Sequence, residues 1–193
     1  MSILIAGLLI FLATHSTRIV APAWREAMIA RMGKHAWRAL VSVLSLIGFV
    51  LLIKGYDTAR MNPINLYEPP VWLRPVTLLL MFFAAVFAVA AIVPRNHTKA
   101  AMGHPLVLSV KTWAFAHLLS NGTLADVILF GGFLLWAVPD FIRSRRSDRA
   151  QGVVYPEGGL GNTLVTVIVG AILWAVFAFY LHAHWVGVAP IPL

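Results

Sequence analysis

Six times between residues 2 and 186 the sequence offers a run of predominantly apolar residues long enough to cross a lipid bilayer, with only short polar segments between the runs. The runs cover about 2–22, 37–56, 73–94, 104–121, 123–142 and 161–186, each near the roughly 20 residues that a bilayer requires. Backbone in hydrocarbon must satisfy its own hydrogen bonds, so runs of this length fold as helices. The expected fold is therefore all-α, a polytopic membrane helix bundle with about six transmembrane helices. Hydrophobic residues make up 60% of the chain and charged residues 11%, which leaves no room for a separate soluble domain. One membrane domain over residues 1–193 is expected.

The formal net charge of +8 would suggest nucleic acid in a soluble protein. Here the cations crowd into particular loops, which reads as topology and excludes a nucleic-acid role. Arg18, Arg25, Arg31, Lys34 and Arg38 follow the first run, Arg95 and Lys99 the third, and Arg143, Arg145, Arg146 and Arg149 the fifth. The other side carries only Lys54, Arg60 and Arg74. The positive-inside rule then puts the odd loops in the cytoplasm and both termini in the periplasm, as expected for a bacterial inner membrane protein. The first run lacks a basic segment before it and an evident cleavage site after it, so it is kept as a mature helix. Residues 57–72 are expected to lie irregularly at the outer interface with Tyr67 and Trp72 at headgroup depth, and residues 143–160 to form a flexible connection. Cysteine is absent, so thiolate ligands, disulfides and cysteine nucleophiles are excluded.

Polar residues inside the apolar runs need a reason, because an ionisable group at the bilayer centre costs on the order of 3 kcal/mol. The fourth run holds His104, Lys111, His117 and Asn121. At 100° per residue His104 and Lys111 share a face, while His117 lies about 220° around from His104, with Trp113 and Asn121 one turn away on its own face. His104 precedes Pro105 and reads as a helix-entrance cap or interface anchor. Lys111 either snorkels along its stem or holds an anion such as a propionate. His15 falls late in the first run, with Arg18 one turn further on. Two buried histidines on different helices are a means of clamping haem iron through axial imidazoles, with Arg18 and Lys111 as propionate partners. Asp126 reads as a hydrated carboxylate near a helix start, and His182 and His184 as part of an interfacial belt with Tyr180 and Trp185. Asn121-Gly122 marks a tight turn, and Gly131-Gly132 a close helix approach.

HSTR at 15–18, GHPL at 103–106, WAFAHLLSNG at 113–122, LFGGFL at 129–134 and the ending WVGVAPIPL resemble, in order and spacing, the NnrU family of bacterial membrane proteins. That resemblance implies a connection with denitrification and nitric oxide metabolism, without defining a reaction. The family is also similar to 15-cis-zeta-carotene isomerase, a membrane haem b family that isomerises a carotenoid double bond. By that resemblance His15 and His117 match the axial metal ligands of haem b. In the isomerase a cysteine stands three positions before the second histidine; here that position is Ala114, which removes the thiol ligand the resemblance implies. GHP faintly resembles the RHP segment of membrane methyltransferases, but the arginine, the tyrosine pattern and the acidic pair are missing.

The expected function is accordingly a haem b protein, acting in isomerisation of an apolar polyene such as a carotenoid or in redox or nitric oxide handling with a redox partner. If it is an enzyme, it is a haem-dependent isomerase. A non-catalytic accessory protein of denitrification is the first alternative; a methyltransferase-like protein and a small-anion transporter are the others. The lipid bilayer is the one partner that composition alone requires.

Overall fold

A computed structural model of the chain describes residues 1–191. Among these the backbone is helical: α1 (Ser2–Val20), α2 (Pro22–Met32), α3 (Lys34–Arg60), α4 (Leu73–Ile92), α5 (His97–Met102), α6 (Pro105–Leu118), α7 (Leu124–Ala150), α8 (Leu160–Val176), a π-helical segment (Phe177–Leu181) and α9 (His182–Val186). Five helices are long and apolar enough to cross a membrane: α1, α3, α4, α7 and the continuous stretch Leu160–Val186. The fourth expected span is instead the 14-residue α6. It starts at Pro105, whose missing N–H costs nothing in a first turn, and stops short of Asn121-Gly122.

The chain packs as two compact units, Met1–Glu68 with Gly122–Trp136, and Pro69–Asn121 with the chain from Ala137 onward. α7 contributes residues to both.

In the first unit α1 and α3 run antiparallel at a glycine-spaced seam. A Cβ on Gly7 would lie 2.6 Å from the Leu52 nitrogen, one on Gly48 2.9 Å from the Phe11 nitrogen, and one on Gly55 would strike the Leu4 nitrogen. Numbers rise on one helix as they fall on the other, in steps of three and four, so one small residue per turn lets the backbones meet. Without a hydrophobic force between helices in lipid, such close contact is what dispersion needs. Leu4, Leu8, Leu52, Ala59 and Ala125 are buried around this seam. The first basic loop forms α2, whose Trp24 packs edge-on against Trp37 at 5.7 Å.

Residues 64–67 meet 122–124 in a short antiparallel bridge. Leu66 and Tyr67 N–H groups donate to the Gly122 carbonyl, and Leu124 N–H donates to Ile64 O at 2.8 Å. Glycine is required at 122 because a Cβ there would collide with the Tyr67 carbonyl. Tyr67 and Trp72 are exposed, at 41% and 69%, consistent with the interfacial placement expected for them. Burial and the charge of Asp126 push the Tyr67 hydroxyl above its ordinary value.

The second unit is organised on α4. Ser109 Oγ on α6 donates to Ala84 O at 2.7 Å, and Thr77 Oγ1 on α4 donates to Ala116 O at 3.2 Å. On the α8 side Trp174 Nε1 donates to Leu78 O at 3.0 Å, and Gly170 sits where a Cβ would lie 2.8 Å from the Val86 Cα. Both neighbours are antiparallel to α4. Asn96, fully buried, caps α5 by accepting from Lys99 N–H at 2.7 Å and donates to the end of α4 at Ala90 O and Val93 O. α7 continues eight residues beyond the expected end of its span, so half of the expected flexible connection is helix.

Candidate cofactor-ligand histidines

His15 belongs to the first unit. The whole polar end of α1 is satisfied by its own helix: Thr14 donates to Ile10 O, Ser16 to Leu12 O and Thr17 to Thr14 O. His15 follows the same rule, its Nδ1 bonded to Phe11 O at 2.7 Å. A carbonyl oxygen only accepts, so Nδ1 carries the proton and the neutral ring has its lone pair on Nε2. The ring stacks on Phe11 at 4.2 Å and meets Trp136 edge-on at 6.4 Å. Trp136 Nε1 in turn donates to Ser16 Oγ at 3.0 Å. Arg18 is exposed in the last turn of α1, where a cation complements the helix dipole.

His117 belongs to the second unit, half-buried near the end of α6. Its Nδ1 donates to Trp113 O one turn back at 2.9 Å, and its carbonyl accepts from Asn121 Nδ2 at 2.8 Å. The side chains of Trp113 and His117 share the face that helix geometry assigned them, with ring centroids 5.3 Å apart. Ala114, the position that holds cysteine in the isomerase, is fully buried.

His182 faces His117, with ring centroids 6.4 Å apart and planes inclined by 22°. Its Nδ1 donates to Val188 O at 2.6 Å, so this ring has the same tautomer as the other two. Sequence reasoning assigned His182 to the interfacial belt; that description fits His184, which lies flat against Tyr180 at 5.8 Å and 6°. The reason is the π segment. Thr166, Gly170, Trp174 and Ala178 form the stripe of the last span that is buried or bonded against α4, one residue in four. In an unbroken α-helix His182 would have drifted roughly 160° from Thr166. The wider turn at Phe177–Leu181 winds part of that drift back.

Lys111 Nζ lies 4.8 Å over the Phe141 ring, a cation–π contact. His104 stands at the N-cap position of α6 but makes no side-chain cap bond. Its Nε2 is 2.8 Å from Asp148 Oδ2, and Tyr155 Oη donates to the same oxygen at 2.6 Å. Asp126 is likewise not a hydrated carboxylate: only 4% exposed, it accepts from Tyr56 Oη at 2.5 Å and from Thr123 N and Oγ1 at 2.9 and 2.7 Å. Thr123 Oγ1 returns an acceptor to Asp126 N–H, closing a capping box at the start of α7. Thr123 followed three positions later by an acid, just before an apolar run, was the sequence signal for it.

Among the described residues no three histidine, aspartate or glutamate side chains gather as a metal site. His15 belongs to the first unit and His117 to the second, and within the second unit His117 and His182 come together. Of the ending WVGVAPIPL, Pro192 and Leu193 lie outside the described residues. The model of a protein family described as NnrU protein matches residues 3–190. No curated protein and no solved structure matches the chain.

Proposed function

The chain belongs to the NnrU family, and on that premise we propose that it is a membrane haem b protein. In this reading His117 would hold the haem iron, and the protein works in isomerisation of an apolar polyene or in denitrification-linked redox or nitric oxide metabolism. The observation that carries the reading is the His117 imidazole: on a helix of apolar surroundings, its Nδ1 is committed to the Trp113 carbonyl, which directs the lone pair to Nε2. Ligating histidines in metalloproteins are oriented by such a bond from the ring's other nitrogen. Imidazole nitrogen suits iron of a b-type haem, and a chain without cysteine has no thiolate to compete with it.

His15 has the same tautomer and is the partner that the resemblance names. Lys111, on the same helix as His117, is the cation proposed for a propionate; Arg18 plays that part for the His15 side. When bound, haem supplies an iron that polarises or exchanges an electron with an apolar substrate. The chain's own part is to orient the imidazoles and to keep the site apolar, so that a lipid-soluble substrate arrives laterally from the bilayer.

The test is an absorption spectrum of protein purified in mild detergent from cells supplied with a haem precursor. A stoichiometric b-type signal with reduced α and β bands, lost in His117→Ala, is the expected result. A colourless protein whose histidine variants fold normally overturns it and favours the accessory role.

A further inference from the structure

We infer that His182 supplies the second imidazole to the metal that His117 holds. This rests on the haem reading and names a ligand that the resemblance does not.

The argument is geometric. Two imidazoles bound through Nε2 to one ion at bonds of about 2.0–2.1 Å bring their ring centroids to about 6 Å. His117 and His182 stand at 6.4 Å within one unit, His117 on α6, which packs against α4, and His182 on α9, which continues α8 through the π segment. Each ring has its other nitrogen bonded to a backbone carbonyl, at Trp113 and Val188, so both are oriented with Nε2 as the ligand atom. His15 shares that tautomer, and what distinguishes His182 is its pairing with His117.

The local backbone points the same way. The five-residue π segment ends immediately before His182. Such bulges are rare inside α-helices and are frequently found at functional sites. Here the side chain that follows is a histidine in the last turns of a membrane span, where an ionisable group by default marks a site. His184, two residues on, is taken up by Tyr180.

The test compares haem-loaded wild type with His15→Ala, His117→Ala and His182→Ala, reading oxidised and reduced spectra, spin state by electron paramagnetic resonance, and elution as a monodisperse species. Loss of the six-coordinate low-spin signal in His182→Ala and its return on adding free imidazole are expected, with His15→Ala read beside it as the competing ligand. Imidazole rescue separates a missing ligand from a misfolded chain. A wild-type spectrum in His182→Ala together with loss of six-coordination in His15→Ala overturns the inference and leaves the haem reading intact. A colourless wild type overturns the haem reading itself.

Discussion

His104 Nε2 lies 2.8 Å from Asp148 Oδ2, a contact across 44 positions that ties the entrance of α6 to the last turn of α7. Tyr155 Oη completes the knot from the following loop, and Gly103 makes room for it: a Cβ there would lie 2.5 Å from an Arg145 guanidinium nitrogen and 2.9 Å from Tyr155 Oη. Gly103 also has φ +74, a conformation that side chains rarely adopt. Tyr155→Phe should therefore free residues 151–159 while leaving the helices intact. Amide hydrogen exchange in detergent should accelerate there and nowhere else; unchanged exchange would sink the idea.

The same knot has an alkaline limit. Burial, and then the hydrogen bond to Asp148, push the Tyr155 hydroxyl above its ordinary 10.0. A folded value raised above the unfolded one means that the bond stabilises fully below pH about 10 and is lost as pH rises through the raised value. Phenolate absorbance of wild type minus Tyr155→Phe should show a titration above the free-tyrosine midpoint. A midpoint at or below the ordinary value would contradict it.

Asp126→Ala removes the acceptor of three hydrogen bonds and leaves Tyr56 Oη and Thr123 unpaired in a buried place. A loss of about 2–3 kcal/mol is expected, combining a helix cap with charge-assisted bonds. Tyr56→Phe removes one bond and should cost about 1 kcal/mol. Denaturant titration of both variants in one detergent gives the comparison, and equal effects would show that the cap contributes nothing.

The adjacent glycines of LFGGFL should part company. At Gly131 the nearest atom to an added Cβ is 3.9 Å away, so Gly131→Ala should be neutral or stabilising by up to about 1 kcal/mol through helix propensity. At Gly132 the Cβ would meet a Leu8 methyl at 2.5 Å, which must move. Gly55→Ala, opposed by the Leu4 backbone, should be the worst, at about 1–3 kcal/mol. Thermal melts that rank the three variants otherwise would refute the seam as described.

Deleting Phe179 should convert the π segment to regular α-helix and turn the residues beyond it by about 100°. The protein should remain folded, since α8 and its contacts with α4 lie before the deletion. Its haem spectrum should then match His182→Ala; a wild-type spectrum would separate the bulge from the ligand.

The helical membrane fold was legible because hydropathy runs report burial in lipid directly, and Pro105 and Asn121-Gly122 marked the ends of α6. The tautomers of His15 and His117 followed no pattern that a sequence displays, since they depend on carbonyls one turn back. His182 was illegible for a sharper reason. Its position relative to Thr166 is set by a π turn, and no residue type in FAFYL announces one. Asp126 was misread because an acid at a helix start looks hydrated until the partner that covers it, Tyr56, is found far away in sequence.

At 1.5 Å per residue α6 spans about 21 Å, against a hydrocarbon core of about 30 Å. Its last carbonyls are met by Thr77 and Asn121 rather than by a further turn. Lipid beside it must thin or tilt to match, at fractions of a kcal/mol per Å of mismatch. Acyl-chain length thus becomes a lever on how far lipid covers the short α6, changed without altering a single side chain.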